Sequence, residues 1–281
     1  MQNFTILDDL LRDSLGKIDR VDELKREIIN SGLPYLHSVM GGMKRDQLIL
    51  LGGRPAMGKT FFALNIALNV AISKKPVLYF YSDGQPDSIA HRILLLHSGI
   101  SYKLLQSNTL PESGWRQLSK SLQVLSKIPL YINYKSWIDC SEICHLIAEA
   151  SRTLDIGLVV IDGLQMIRGP VCGLKTKDIV GFIKYHLPQF CAPVVLISQV
   201  MRRVDLRKDP SDMTLNDVKD GRSIRDLVDK AIFIYRKDYY KGPSGKSEVP
   251  MNATVIDIHS GKKAKVPLIF NKYTGKIKEV L

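Results

Sequence analysis

The chain has 281 residues, 45% hydrophobic and 24% charged, which is the make-up of a globular protein and excludes a disordered or fibrous one. No apolar run reaches the ~20 residues that span a bilayer, and the start MQNFTILDDLLRDSLGK lacks the basic-then-apolar layout of a secretory signal. Membrane partners are therefore excluded and a cytoplasmic location is expected. A formal net charge of +12 with a pI near 9.5 suggests a polyanionic partner, although a solvated basic face gives the same totals. Much of the excess sits late, in MRRVDLRKD, KDGRSIRD, YRKDYYKG and SGKKAKV.

From about Ile6 to Ile28, apolar residues at Leu7, Leu11, Leu15, Ile18, Val21, Leu24 and Ile28 recur every three or four positions, which predicts a long amphipathic helix. NSGLPYL then breaks it. Residues 1–30 thus read as a linker or docking helix, packed either on its own core or on a neighbouring subunit, and residues 31–281 as the main domain. QLILL predicts a strand and FFALNIALNVAI a helix; PVLYFYS and DSIAHRILLLH repeat the pattern. PESGWRQLSKSLQVLS is another helix, IPLYIN a strand, SEICHLIAEASRTL a helix and IGLVVID a fully buried strand. KDIVGFIKYHLPQF is a helix interrupted by Pro188, and APVVLIS another buried strand. Near-continuous apolar strands alternating with helices indicate a mainly parallel sheet covered on both faces. The closely spaced KAIFIYR, ATVIDIH and KVPLIF, with turn signals GPSG and YTGK, predict antiparallel strands at the C-terminal end. Cys140, Cys144, Cys172 and Cys191 show no zinc or disulfide spacing, and Cys140 and Cys144 fall one helical turn apart.

Between QLILL and FFALN lie Gly53, Arg54, Pro55, Ala56, Met57, Gly58, Lys59 and Thr60, which fit G-x-x-x-x-G-K-[ST] in the strand, loop, helix context that a P-loop requires. Glycines let backbone N–H groups turn inward, and the new helix adds its positive end, so the concavity favours polyphosphate. Lys59 would reach the β- and γ-phosphates and the Thr60 hydroxyl would ligate Mg2+. A second acidic group is then expected at the end of another strand, and LVVID ends in Asp162. PVVLIS is followed by Gln199, a polar group suited to the γ-phosphate.

Taken together, GRPAMGKT, VVIDGLQMI, VVLISQVMRR and SIRDLVDKAIFIYRKDYY resemble the ATPase domain of DnaB-type replicative DNA helicases, over roughly residues 31–275. The resemblance implies an α/β, RecA-like P-loop domain that uses ATP and Mg2+ and works as a homo-hexameric ring around single-stranded DNA, with loader or initiator proteins as possible partners. It implies catalytic roles for Lys59, Thr60, Asp162 and Gln199, and a place near the nucleotide for Arg236. It also implies DNA contacts in the MRR segment, at Arg202 and Arg203, and in the loop Asp217 to Ser223. There, Lys219 and Asp220 stand where the family has Arg and Glu, and Arg222 where it has Gly. The stretch ahead of the domain resembles the family's linker helix. The family's primase-binding N-terminal domain is expected to be absent here, which leaves primase contact open.

Two positions depart from the family. It polarises the attacking water with a Glu after the PVLYF strand, and Asp83 stands there, one methylene shorter. A displacement on the order of 1 Å in such a base costs about 10²-fold. The family also sends a Lys-x-Arg element into the neighbouring subunit's site, where this chain has Asp257 and His259. A trans-acting finger contributes about 10³ to 10⁵ in rate. A shift of alignment by a few residues would instead bring Lys262 or Lys263 to that role. The expectation is an ATP-dependent helicase; the alternatives are an ATP-binding relative that hydrolyses weakly or not at all and acts as a DNA-binding or assembly partner, and a RecA-like recombination or regulatory ATPase.

Overall fold

The order of strand and helix follows the apolar pattern of the sequence, and the computed structural model describes residues 28–280 except 83, 107–109, 136, 170–174 and 242–244. Two short strands, β1 (Ile28–Ile29) and β2 (Met43–Lys44), pair antiparallel around helix α1 (Pro34–Met40). Pro34 starts α1, and the distant Glu279 carboxylate accepts the Tyr35 and Leu36 N–H groups at 2.9 and 2.7 Å, supplying the N-terminal cap that Leu33 lacks. The chain continues through β3 (Leu48–Gly53), α2 (Lys59–Ile72), β4 (Val77–Tyr81), α3 (Pro86–Ser98), α4 (Tyr102–Gln106), α5 (Glu112–Leu125) and β5 (Leu130–Asn133). Next come β6 (Ile138–Asp139), α6 (Cys140–Ser151), β7 (Leu158–Asp162), β8 (Ile167–Arg168), α7 (Thr176–Phe190) and β9 (Val194–Gln199). After an irregular stretch follow β10 (Lys230–Arg236), α8 (Asp238–Lys241), β11 (Glu248–Asp257), β12 (Lys263–Asn271) and β13 (Ile277–Glu279).

Nine strands form one sheet in the order β13-β12-β11-β10-β3-β9-β7-β4-β5, parallel from β10 to β5 and antiparallel from β10 to β13. The expected architecture is thus the observed one. Side chains alternate between two cores: Ile49 and Leu51 of β3 pack with α2 and α3, whereas Leu48 and Leu50 pack with α6 and α7. Both faces being covered explains why these strands read as unbroken apolar runs.

One expectation falls almost wholly outside the described residues, and another changes. Of the proposed Ile6–Ile28 helix only Ile28 is among the described residues, and it lies in β1. Pro188 does not interrupt α7, which runs to Phe190 before Cys191 turns it off at φ 49°. A proline so near the C-terminal end removes a single helical hydrogen bond, which the last turn tolerates. Cys140 and Cys144 do lie one turn apart on α6, buried, and burial pushes their thiols up to about 11 and about 12. They are core residues with unreactive thiols.

Candidate nucleotide and nucleic-acid sites

The phosphate loop begins where β3 is most crowded. A side chain at Gly52 would meet the Phe233 ring at 2.6 Å, and one at Gly53 would meet Ile234 at 3.0 Å, so the strand can run beside β10 only without them. Ala56 and Gly58 then take left-handed φ values of 60° and 96°, which turn the backbone around an open concavity and into α2. The Lys59 ammonium lies across the loop and donates to the Arg54 carbonyl at 3.0 Å. Arg54 and Met57 point elsewhere. The Arg54 guanidinium is held by Asp205 at 3.0 Å and by the Val200 carbonyl at 2.8 Å, and Met57 is buried in the core. Their side chains shape the loop from behind, and within the motif Pro55, Ala56, Gly58, Lys59 and Thr60 line the cavity.

That cavity has a volume of about 780 Å³ and also takes in Asp162, Gln199 and Arg236, from the ends of β7, β9 and β10. Parallel strands put all these C-terminal ends on one edge, with Gly53 and Gln199 in direct register. Asp162 is 5% exposed; its Oδ2 accepts the Tyr79 hydroxyl at 3.0 Å, and its carbonyl accepts Ser82 Oγ at 2.6 Å. Burial, then the Asp162 charge, raises the Tyr79 pKa well above the usual phenol value, so Tyr79 stays a proton donor to that carboxylate. Arg236 is tied to Asp238 at 2.9 Å and lies 4.6 Å over the Phe270 ring. Asp83 falls outside the described residues.

The cavity also has lining residues that the sequence did not reveal. Phe61, Arg92, Tyr102, Lys272 and Tyr273 line it, and the Arg92 guanidinium sits 5.5 Å from the Phe61 ring centroid. Lys272 and Tyr273 are brought there by Asn65, a buried amide on α2, which donates to the Gly275 carbonyl at 2.9 Å and accepts the Ile277 N–H at 3.1 Å. A side chain at Gly275 would run into Phe61, so glycine lets this turn close on the helix. The two asparagines within FFALNIALNVAI were the available signal, and of these it is Asn65 that makes the bridge, while Asn69 donates to the Ser31 carbonyl. Lys59 and the backbone of its loop, together with the aromatic rings in the same lining, would suit a phosphorylated ligand that carries a flat ring.

The basic segment after β9 folds back on the sheet. Val200 bridges Val218, and Asp217 is buried, paired with Arg207 and accepting the Thr214 N–H at 2.9 Å. Gly221 is obligatory because a Cβ there would collide with the Leu215 carbonyl oxygen. Around this core Arg202, Arg203, Lys219, Asp220 and Arg222 are exposed. Asp220 takes φ 58° and accepts Thr176 Oγ1 at 2.7 Å, which ties the loop to the start of α7, while Arg203 reaches the Asn216 carbonyl.

The β11–β12 turn lies far from the cavity. Met251 pairs with Arg236 at the cavity end of β10 and Asp257 with Lys230 at the other. Those positions are about 20 Å apart at ~3.3 Å per residue. Asp257 accepts the Ser260 N–H and hydroxyl, both at 2.8 Å, and these bonds hold its carboxyl below the usual range. His259 contacts Asp229 at 3.2 Å and Lys263 pairs with Asp212. Among the described residues no ion pair engages the exposed Lys262.

Known proteins share both the sequence pattern and the fold. The family model of the DnaB-like helicase C-terminal domain matches residues 29–279. Replicative DNA helicase DnaC of Bacillus subtilis (strain 168) is 29% identical over 94% of this chain and 59% of its own length. Replicative DNA helicase DnaB of Rickettsia bellii is 30% identical over 85% of this chain and 51% of its own, and that of Geobacillus stearothermophilus 29% over 97% and 62%. The chain thus spans between about half and two thirds of these curated relatives. A solved ATPase domain superposes with a TM-score of 0.86 at 22% identity, covering 99% of this chain and all of that domain. A DnaB-like replicative helicase solved with its primase interactions gives 0.85 at 23%, over 99% and 68%. These two establish the fold.

Proposed function

The chain belongs to the family of DnaB-like helicase C-terminal domains, and from that membership we propose that it is the ATPase motor of a DnaB-type replicative DNA helicase. In this reading it moves along single-stranded DNA as a homo-hexameric ring and separates the strands ahead of it. One observation carries the proposal: a single cavity gathers Lys59, Thr60, Asp162, Gln199 and Arg236. The donor set fits Mg2+, a hard cation that takes oxygen ligands, because the Thr60 hydroxyl and the buried Asp162 carboxylate open onto the same space. When bound, the ion neutralises charge on the phosphates. Lys59 leaves the Arg54 carbonyl to meet the β- and γ-phosphates, Gln199 stands at the γ-phosphate, and Arg236 balances charge beside it.

Asp83 is proposed to orient the attacking water. A cation from the neighbouring subunit completes the site, and Lys262 is the residue of the β11–β12 turn best fitted to supply it, since Asp229 engages His259 and Asp212 engages Lys263. Lys219 and Arg222, with Arg202 and Arg203, hold DNA backbone phosphates without reading sequence. Loader or initiator proteins of a replicon are the expected partners.

A second reading has its own observation. Asp257 is committed to capping its own turn and His259 to Asp229, so the family's finger positions carry no free cation. On this reading the chain binds ATP, hydrolyses it weakly or not at all, and serves as a DNA-binding or assembly partner. Displacement of a labelled strand from a forked duplex separates the two. Unwinding with ATP but not with a non-hydrolysable analogue supports the motor; forked-DNA binding without displacement under either nucleotide refutes it.

A further inference from the structure

Trp137 is 47% exposed, immediately before the short strand β6. The Arg168 guanidinium lies 4.7 Å from the centroid of its ring. The pairing of Ile138 with Ile167 and of Asp139 with Arg168 brings the two side chains together, anchored by Ile138 and Ile167, which are buried. Asp139, the acidic neighbour, uses its carboxylate to cap α6, accepting the Ser141 N–H at 2.7 Å and hydroxyl at 2.6 Å. Lys135 is paired with Glu142. Among the described residues no ion pair engages Arg168, so an exposed indole and an uncompensated cation sit side by side.

Their position gives the pair a use. Ile138 and Ile167 belong to the same buried cluster as Val200, Val204 and Val218, so the pair shares a sheet face with the basic loop around Lys219 and Arg222. Gln165 and Met166, only a few residues before Arg168, line the nucleotide cavity. An indole with a guanidinium over its ring is what an unstacked base and its adjoining phosphate require: a flat π surface for the base and a positive charge for the backbone.

We propose that Trp137 and Arg168 form a base-stacking site for single-stranded DNA, at one end of a path that Lys219 and Arg222 line. The proposal rests on the motor reading in that both need the chain to bind single strands. A bare structural pair would instead only hold β6 against β8.

The chain has two tryptophans, which allows a direct test. Trp115 projects from α5, which packs on α3 on the other side of the sheet, and serves as the control. Trp115→Phe and Trp137→Phe proteins are titrated with oligo(dT) at low salt, following indole emission, while anisotropy of a labelled oligo(dT) reports binding itself. The expected result is that emission of Trp115→Phe is at least halved along the anisotropy curve and that of Trp137→Phe stays flat. Trp137→Ala should weaken binding roughly tenfold and Trp137→Tyr much less. Normal anisotropy with flat Trp115→Phe emission overturns this inference and leaves the motor reading standing. Quenching without any loss of affinity in Trp137→Ala overturns it as well, because the ring would be near the strand without stacking on it. No binding by anisotropy overturns both readings.

Discussion

Arg236 and Lys230 stand at opposite ends of β10, and their surroundings differ. Around Arg236 the chain assembles a cavity from four parallel strand ends, with three of its polar groups held by a neighbour: Lys59 by a carbonyl, Asp162 by Tyr79, Arg236 by Asp238. Around Lys230 the side chain is buried and donates to the Met40 carbonyl, opposite Asp257, and the adjoining turn, at the end of β10 remote from the cavity, carries the exposed Lys262. Burial pulls the Lys230 pKa down, against the Asp257 charge. On the proposed reading the first pole receives a nucleotide and the second presents a cation to another copy of the chain. That asymmetry is what a site divided between copies of one chain requires.

Breaking the first pole should have the largest effect. Lys59→Ala removes the central phosphate-binding charge and should lower turnover by about 10³-fold, with nucleotide affinity falling in a direct binding titration; unchanged affinity would contradict the phosphate-loop assignment. At the second pole, Lys262→Ala should cost about 10²-fold in turnover while leaving nucleotide affinity of the unassembled chain unaltered, and His259→Ala should have little effect. Loss with His259→Ala instead would transfer the trans role to the histidine. Removing two phosphate contacts by Lys219→Ala with Arg222→Ala should lower the log–log salt slope of single-strand binding by about 1.4, equivalent to about 25-fold in affinity at 0.1 M salt. An unchanged slope takes that loop out of the DNA path. The smallest effect sharpens the first pole. Tyr79→Phe deletes only the donor to Asp162 and should raise the Mg2+ concentration that half-saturates nucleotide binding by about tenfold, whereas a purely structural tyrosine would lower the melting temperature and leave the Mg2+ dependence alone.

The phosphate pole was legible in the sequence because its signals are local. A strand, eight loop residues and a helix are contiguous, and Asp162, Gln199 and Arg236 each end an apolar run, so a parallel sheet brings them to one edge. Arg54 and Met57 show the limit of reading a motif letter by letter: they belong to it, yet one side chain binds Asp205 and the other fills the core. The aromatic part of the lining was not legible, because Phe61, Tyr102 and Tyr273 are far apart in the chain and are brought together by the Asn65 bridge between α2 and the β12–β13 turn and by the Tyr102 N–H bond to the Tyr273 carbonyl. The same holds for Trp137 and Arg168, which join through two short strands with no periodicity to announce them. The tolerance of Pro188 within α7 is hidden for a related reason, since the cost of a proline depends on how close the helix end lies. On the proposed reading the partner of Lys262 belongs to a neighbouring copy, so contacts within one chain do not show it.

The most direct test of a site shared between chains is ATP turnover per subunit measured across protein concentration with oligo(dT) present, beside the mass of the protein in solution with Mg2+ and ATP. The account predicts turnover that rises steeply as a hexamer forms and falls away in the dissociated chain. Turnover per subunit that is independent of concentration, in a protein that stays monomeric, would contradict it.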